Sequence, residues 1–247
     1  MLAYRSGIFP MADTRDDPEI FWVEPRRRAI LPLDRFHCSH SLAKVLRRGT
    51  FEVTCNAAFA AVIEACAGPR RDGDQTWIST RITQSYQALH ELGQAHSIEC
   101  WQEGELVGGL YGVGFDRVFC GESMFSRRTD ASKVALSWLV AALRRGGAEL
   151  LDCQFMTGHL ASLGAKEISQ TEYLELLRAA QRPAVADAEG FGEGLALGEG
   201  DGLGEAEGLA DGAALPAGFA AVLADAAGAG LSSSPGNFIA QSLTQTS

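Results

Sequence analysis

SIECWQEGELVGGLYGVGFDRVFCGESMFSRRTDASKVALSWLVAALRRGGAELLDCQF, residues 97–155, decides the architecture. SIECWQ and LVGGLYGV flank the turn Glu103-Gly104 and read as a hairpin, and DRVFCGESMF supplies a third strand. ASKVALSWLVAALRRGG follows as a helix. Val134, Ala135, Trp138, Leu139, Ala142 and Leu143 recur at helical spacing, Arg144 and Arg145 occupy the last turn, and Gly146 stands at the C-terminal cap. ELLDCQF then reads as a buried strand.

Antiparallel strands, a helix and a return strand make an α/β (α+β) domain in the order of acetyltransferase-like (GNAT-type) acyl-transfer domains. Downstream, TEYLELLRAAQR reads as a closing helix. Upstream the pattern is mixed: FWVEP, RAILPL and FEVTCN as strands, with HSLAKVLRRG, AAFAAVIEACAG and the Thr-capped WISTRITQSYQALHELGQ as helices. The expected division is a small mixed domain over 1–95, a catalytic domain over 96–182, and a tail over 183–247. The tail holds 13 Gly and 16 Ala among its 65 residues, a composition that buries little surface and is expected to be mostly disordered. Within it only Ala213–Ala227 reads as a short helix, with Phe219 and Leu223 on one face.

The net charge of −10 conceals an uneven distribution. Nine of the 31 acidic residues lie in 183–247, which has no Lys or Arg, so residues 1–182 carry 22 acids against 21 bases. Those bases cluster as Arg26-Arg27-Arg28, Lys44 with Arg47-Arg48, Arg70-Arg71, Arg127-Arg128 and Arg144-Arg145, a pattern compatible with nucleic acid. Six scattered cysteines without a CxxC pair favour reduced thiols in a cytoplasmic protein over disulfides or a metal site. No apolar run is long enough to span a bilayer, and the N-terminal stretch lacks the form of a secretory signal.

Candidate chemistry gathers at two strand ends. Strand alternation places Asp152 and Gln154 on one face and Cys153 on the other, and an Asp and a Gln within an apolar strand are costly to bury unless paired or functional. Glu122, beside Gly121, ends the preceding strand. Cys153 facing away argues against a Cys153–His159 nucleophile pair. A coenzyme A enzyme of this architecture cradles pyrophosphate on a Gly-rich turn before the central helix. Here that segment is Arg127-Arg128-Thr129-Asp130-Ala131-Ser132, without glycine and with an aspartate, which disfavours coenzyme A.

The strings GIFPMAD, TWI, ELVGGLYGV, FCGESMFSR, ASKVAL, LLDCQ and HLASLGAKEI, in this order, resemble the bacterial leucyl/phenylalanyl-tRNA–protein transferases over about residues 2–180. The resemblance implies transfer of Leu or Phe, with Met as a further donor residue, from charged tRNA to proteins that begin with Lys or Arg, marking them for degradation. It implies Asp152, Gln154 and Glu122 as the polar catalytic centre, Trp77 and Trp22 as stacking partners of the terminal adenosine, and Met124, Phe119 and Leu110 as walls of the side-chain pocket. No cofactor and no metal are implied. Phe119 and Met124 have opposite strand parity, so a shared pocket requires a bulge between them. Family members usually carry residues before MLAYRSGIFPM, which reads as an N-terminal domain shortened at its start. The tail is foreign to the pattern, as a lineage-specific extension or a shifted frame would be. An inactive tRNA- or protein-binding module of the same fold is the alternative class, and a coenzyme A-dependent N-acyltransferase a third.

Overall fold

The computed structural model describes residues 1–68, 76–182, 214–228 and 235–244. A short helix α1 (Leu2–Arg5) leads into the two-stranded sheet β1 (Phe9–Met11) and β2 (Phe21–Val23). Then come β3 (Arg27–Ile30), α2 (His40–Arg48), β4 (Glu52–Cys55), α3 (Phe59–Ala67) and α4 (Thr80–Glu91). The quoted stretch forms β5 (Ala95–Gln102), β6 (Glu105–Phe115), β7 (Val118–Ser126), α5 (Ala131–Arg145) and β8 (Leu150–Gln154). The chain continues through α6 (Gly158–Ser162), β9 (Lys166–Ser169) and α7 (Gln170–Ala180) to α8 (Ala214–Gly228) and α9 (Pro235–Thr244).

Local chemistry accounts for most boundaries. Ser39, Ser79 and Ser169 cap α2, α4 and α7 by accepting backbone N–H bonds, and Glu172 completes a capping box on α7. The expected Thr cap on α4 is therefore Ser79. Glu103 and Gly104 both have positive φ, the geometry of a tight I′ hairpin turn.

Seven strands form one mixed sheet in the order β4-β5-β6-β7-β8-β3-β9. The boundary expected between residues 95 and 96 falls inside β5, where β4 and β5 are hydrogen-bonded neighbours. The upstream strands β2 and β3 do not pair with each other: β2 pairs with β1, while β3 lies antiparallel between β8 and β9. One apolar cluster fills the face of the sheet under α5, and a second fills the face under α3, α4 and α7.

Two sheet irregularities matter for the site. In β7, Ser123 faces Tyr111 and Gly121 faces Gly112, leaving Glu122 as an extra residue. In β8, Gln154 faces Ala29 and Asp152 faces Ile30, leaving Cys153 extra. Such bulges turn the side chains beyond them. Gly112 is required opposite the first bulge, since a Cβ there would stand 2.2 Å from the Cys120 carbonyl oxygen.

The short helix expected over Ala213–Ala227 is present as α8, and α9 is a further helix where disorder was expected; residues 183–213 and the remaining tail residues lie outside the described ones. Helix α8 packs on α5, with the Phe219 ring 5.3 Å from that of Trp138, and α9 packs on α2. The crossing is close because Gly218 lies against α5, where a Cβ would come within 2.0 Å of the Ala142 carbonyl oxygen. Phe219 is buried as part of this face, whereas Leu223 is exposed. Replacing Gly218 by Leu should separate the two helices at a cost of about 1–3 kcal/mol. The expected outcome is a lower Tm and red-shifted tryptophan emission as Trp138 meets water.

Candidate active site

Strands β7 and β8 run parallel, and their pairing ends at Cys120 opposite Asp152. Beyond that point the two strand ends carry Glu122 and Gln154 into a cavity of about 390 Å³. Leu110, Met124, Leu136, Leu139, Leu151 and Leu160 make its walls apolar, and Met11 and Trp77 line it from the N-terminal segments. The Ala12 N–H donates to the Trp77 carbonyl at 3.3 Å, tying these two segments together.

Glu122 is buried and receives three hydrogen bonds: Tyr4 donates at 2.8 Å, Tyr86 at 2.8 Å and Gln154 Nε2 at 2.9 Å. The Tyr4 and Tyr86 hydroxyls also touch each other. Burial pushes the Glu122 carboxyl up to about 7; the three hydrogen bonds oppose the rise and Asp152 adds to it. Burial and the Glu122 charge push both phenols well up, so each remains a donor.

Asp152 occupies the opposite face of β8 and is fully buried. Arg28 grips it with two bonds, Nε to Oδ1 at 2.9 Å and Nη2 to Oδ2 at 2.5 Å. Tyr173 donates to Oδ2 at 3.0 Å, and the Gln154 backbone N–H donates to Oδ1 at 2.8 Å. Arg28 also donates to the Gly7 carbonyl and lies over the rings of Phe9 and Tyr173. Burial works against the guanidinium charge, but Asp152 raises its pKa overall.

Residues 30–178 match the family model described as leucyl/phenylalanyl-tRNA protein transferase, and residues 1–26 match the model of its N-terminal domain. A leucyl/phenylalanyl-tRNA–protein transferase of Novosphingobium aromaticivorans is 66% identical, covering 99% of this chain and 94% of the relative. A relative of the same name from Zymomonas mobilis is 54% identical, covering 76% of this chain and 70% of its own. Another from Rhizorhabdus wittichii is 57% identical over 71% of each chain. The chain belongs to the leucyl/phenylalanyl-tRNA–protein transferase family. Its C-terminal helices fall within the alignment with the Novosphingobium transferase, so the tail is shared rather than the product of a frame shift in this chain alone.

Within this transferase fold, Glu122, Gln154, Trp77, Met124 and Leu110 line one cavity. Three other expected residues do not. The Asp152 side chain faces Arg28, because the bulge at Cys153 and a positive φ of 60° at Gln154 break strand alternation. Cys153 and Gln154 consequently share the cavity wall that alternation would have divided between them. Burial pushes the Cys153 thiol well up and Asp152 adds to this; burial and Lys133 lower His159, also on that wall. The Phe119 ring packs against Gly112, in the same apolar cluster as Met124 but outside the cavity lining. Trp22 sits opposite Pro10 on an exposed hairpin strand, while Met11, one position along β1, reaches the cavity. Met11, Arg28, Tyr4, Tyr86 and Tyr173 were not among the expected site residues, since each is joined to the site only through long-range packing.

The basic clusters also divide. Arg144 donates to the carbonyls of Leu33 and Ser242, and Arg145 pairs with Asp225 at 2.8 Å, so this pair serves the tail helices. Lys44, Arg47, Arg48, Arg127 and Arg128 are exposed; Arg70-Arg71 lie outside the described residues. Among the described residues no three His, Cys, Asp or Glu side chains are grouped to hold a metal ion, and no helix is long and apolar enough to cross a membrane.

Two predictions follow from this geometry. Replacing Arg28 by Met leaves a buried, uncompensated carboxylate and should cost about 3–5 kcal/mol in urea unfolding. Lysine should restore little of this, because it cannot form the two-pronged contact. The second concerns pH. Because the Glu122 carboxyl is raised from 4.5 to about 7 in the fold, its contribution to stability is fully present below pH 4.5 and is lost as pH rises through 7. Comparing Tm at pH 5 and pH 8, Glu122→Gln should show a smaller decline than the native chain.

Proposed function

We propose that the cavity holds the aminoacylated 3′ end of a charged tRNA and that the chain moves Leu or Phe from it to the N-terminus of an acceptor protein. The observation that carries this reading is the apolar cavity ending in Glu122 and Gln154. Its walls suit a large aliphatic or aromatic side chain, and Trp77 with Met11 offers the terminal adenosine a stacking and packing surface on the cavity lining. Following the family resemblance, the acceptors begin with Lys or Arg, Met is a further donor residue, and the reaction occurs in the cytoplasm.

An aminoacyl ester is already activated, so transfer needs no external energy source. The attacking α-amine has an ordinary pKa of roughly 7.7–8.0, which leaves on the order of a tenth of it neutral at pH 7. The new C–N bond forms as the ester C–O bond breaks, and the amine's proton ends on the released 3′-hydroxyl or in solvent. Positioning is the largest gain open to the enzyme. Gln154 gives its Nε2 to Glu122, which leaves its Oε1 to accept an N–H of the amine. Glu122 provides negative charge beside the nitrogen as that nitrogen becomes cationic. Asp152 touches no substrate; it is a positioning residue that holds the Gln154 backbone.

Transfer of labelled Phe from Phe-tRNA to an Arg-initiated peptide tests the reading directly. The native chain should transfer, and Gln154→Ala should lower kcat by one or more orders of magnitude with a small change in KM for the tRNA. Trp77→Ala should instead raise that KM, since base–aromatic stacking contributes about 1–3 kcal/mol. Absence of transfer by folded native protein would favour the binding-module alternative.

A further inference from the structure

We propose that Phe155 and Phe21 form a second stacking platform at the mouth of the cavity, one that takes the nucleobase preceding the donor's terminal adenosine. This rests on the tRNA-donor reading above and extends it by one nucleotide. Phe155 follows Gln154 directly and lines the cavity, yet its side chain is 46% exposed. Its ring is not loose: Phe9 holds it edge to face at 5.6 Å and 79°, which leaves a fixed aromatic surface toward the opening. Phe21 is 45% exposed and pairs across the hairpin with Met11, so both side chains stand on the same face, the one that meets the cavity.

Single exposed apolar residues are ordinary, but an exposed ring on the cavity lining, with a second exposed ring beside Met11 on the same hairpin face, makes a patch that needs an occupant. The 3′ end of a tRNA is single-stranded, and an adenosine held by Trp77 and Met11 obliges the preceding nucleotide to leave through the opening. Every base has a π face, so stacking there accepts the end without reading its sequence, as suits an end that all tRNAs share.

The test compares two donors: a 3′-phenylalanyl adenosine and a phenylalanyl trinucleotide with two cytidines before the adenosine. The readout is the ratio of kcat/KM on the trinucleotide to that on the adenosine ester. The native ratio should exceed one, Phe155→Ala and Phe21→Ala should each reduce it about five-fold or more, and Phe155→Trp should restore it. A ratio unchanged in Phe155→Ala overturns the platform, as does an equal loss on both donors, which marks a structural ring. A raised KM for the acceptor peptide with an unchanged donor ratio overturns it in favour of a protein contact. Failure of the native chain with both donors overturns the donor reading and this inference together.

Discussion

The ion pair between Arg28 and Asp152 organises the molecule. Both side chains are out of water, a situation in which desolvation can exceed the Coulombic gain unless the geometry is good and the remaining polar atoms are satisfied. Both conditions are met by the two-pronged contact, the Tyr173 hydroxyl, the Gly7 carbonyl and two aromatic faces. These partners come from the N-terminal segment, β1, β8 and α7, so a single guanidinium on β3 reaches groups up to 145 residues away along the chain. From Asp152 the order passes outward. Its Oδ1 holds the Gln154 N–H, Gln154 reaches Glu122, and Glu122 is gripped by Tyr4 of α1 and Tyr86 of α4. The two carboxylates thus take different roles from different surroundings, one matched by a cation and one surrounded by neutral donors.

Legibility in the sequence follows the range of the interactions. The hairpin at Glu103-Gly104, the helix over Ala131–Arg145 and the serine-capped helices depend on neighbours a few residues away, and the sequence pattern reveals them. The insertion of β3 between β8 and β9 depends on pairing across more than a hundred residues, and the local pattern of RAILPL carries no trace of it. The bulges are an intermediate case. A pocket shared by Phe119 and Met124 would demand an irregularity between them; the bulge exists, at Glu122, although Phe119 stays outside the cavity lining. Nothing comparable flags Cys153 as extra, so alternation through Asp152, Cys153 and Gln154 misassigns the faces.

Composition misleads differently in the tail. Ala is the strongest helix former, and Gly at a crossing allows two backbones to approach without intervening side chains. A segment with few large residues can therefore pack if the partner supplies them. Here α5 presents Trp138 and the Ala142 backbone to α8, while its other side lends Leu136 and Leu139 to the cavity. The helix is a shared wall: apolar area counted for the tail alone leaves out the half contributed by α5. The same double use explains why α5 is buried along nearly its whole length.

An apolar cavity closed by one carboxyl near the edge of ionisation suits aminoacyl transfer for an electrostatic reason. Before attack the amine must be neutral, and apolar walls favour that form by withholding solvation from the ammonium. As the C–N bond forms, the nitrogen becomes cationic in the same poorly solvated place. A carboxylate beside it then contributes more than it would in water, and contributes most at the transition state. A fully desolvated carboxyl without donors would stay protonated and supply no charge. One paired with a cation, as Asp152 is with Arg28, would have its field largely cancelled. Three neutral donors, Tyr4, Tyr86 and Gln154, hold Glu122 between these limits, and one of them, Gln154, is the residue we propose to orient the nucleophile.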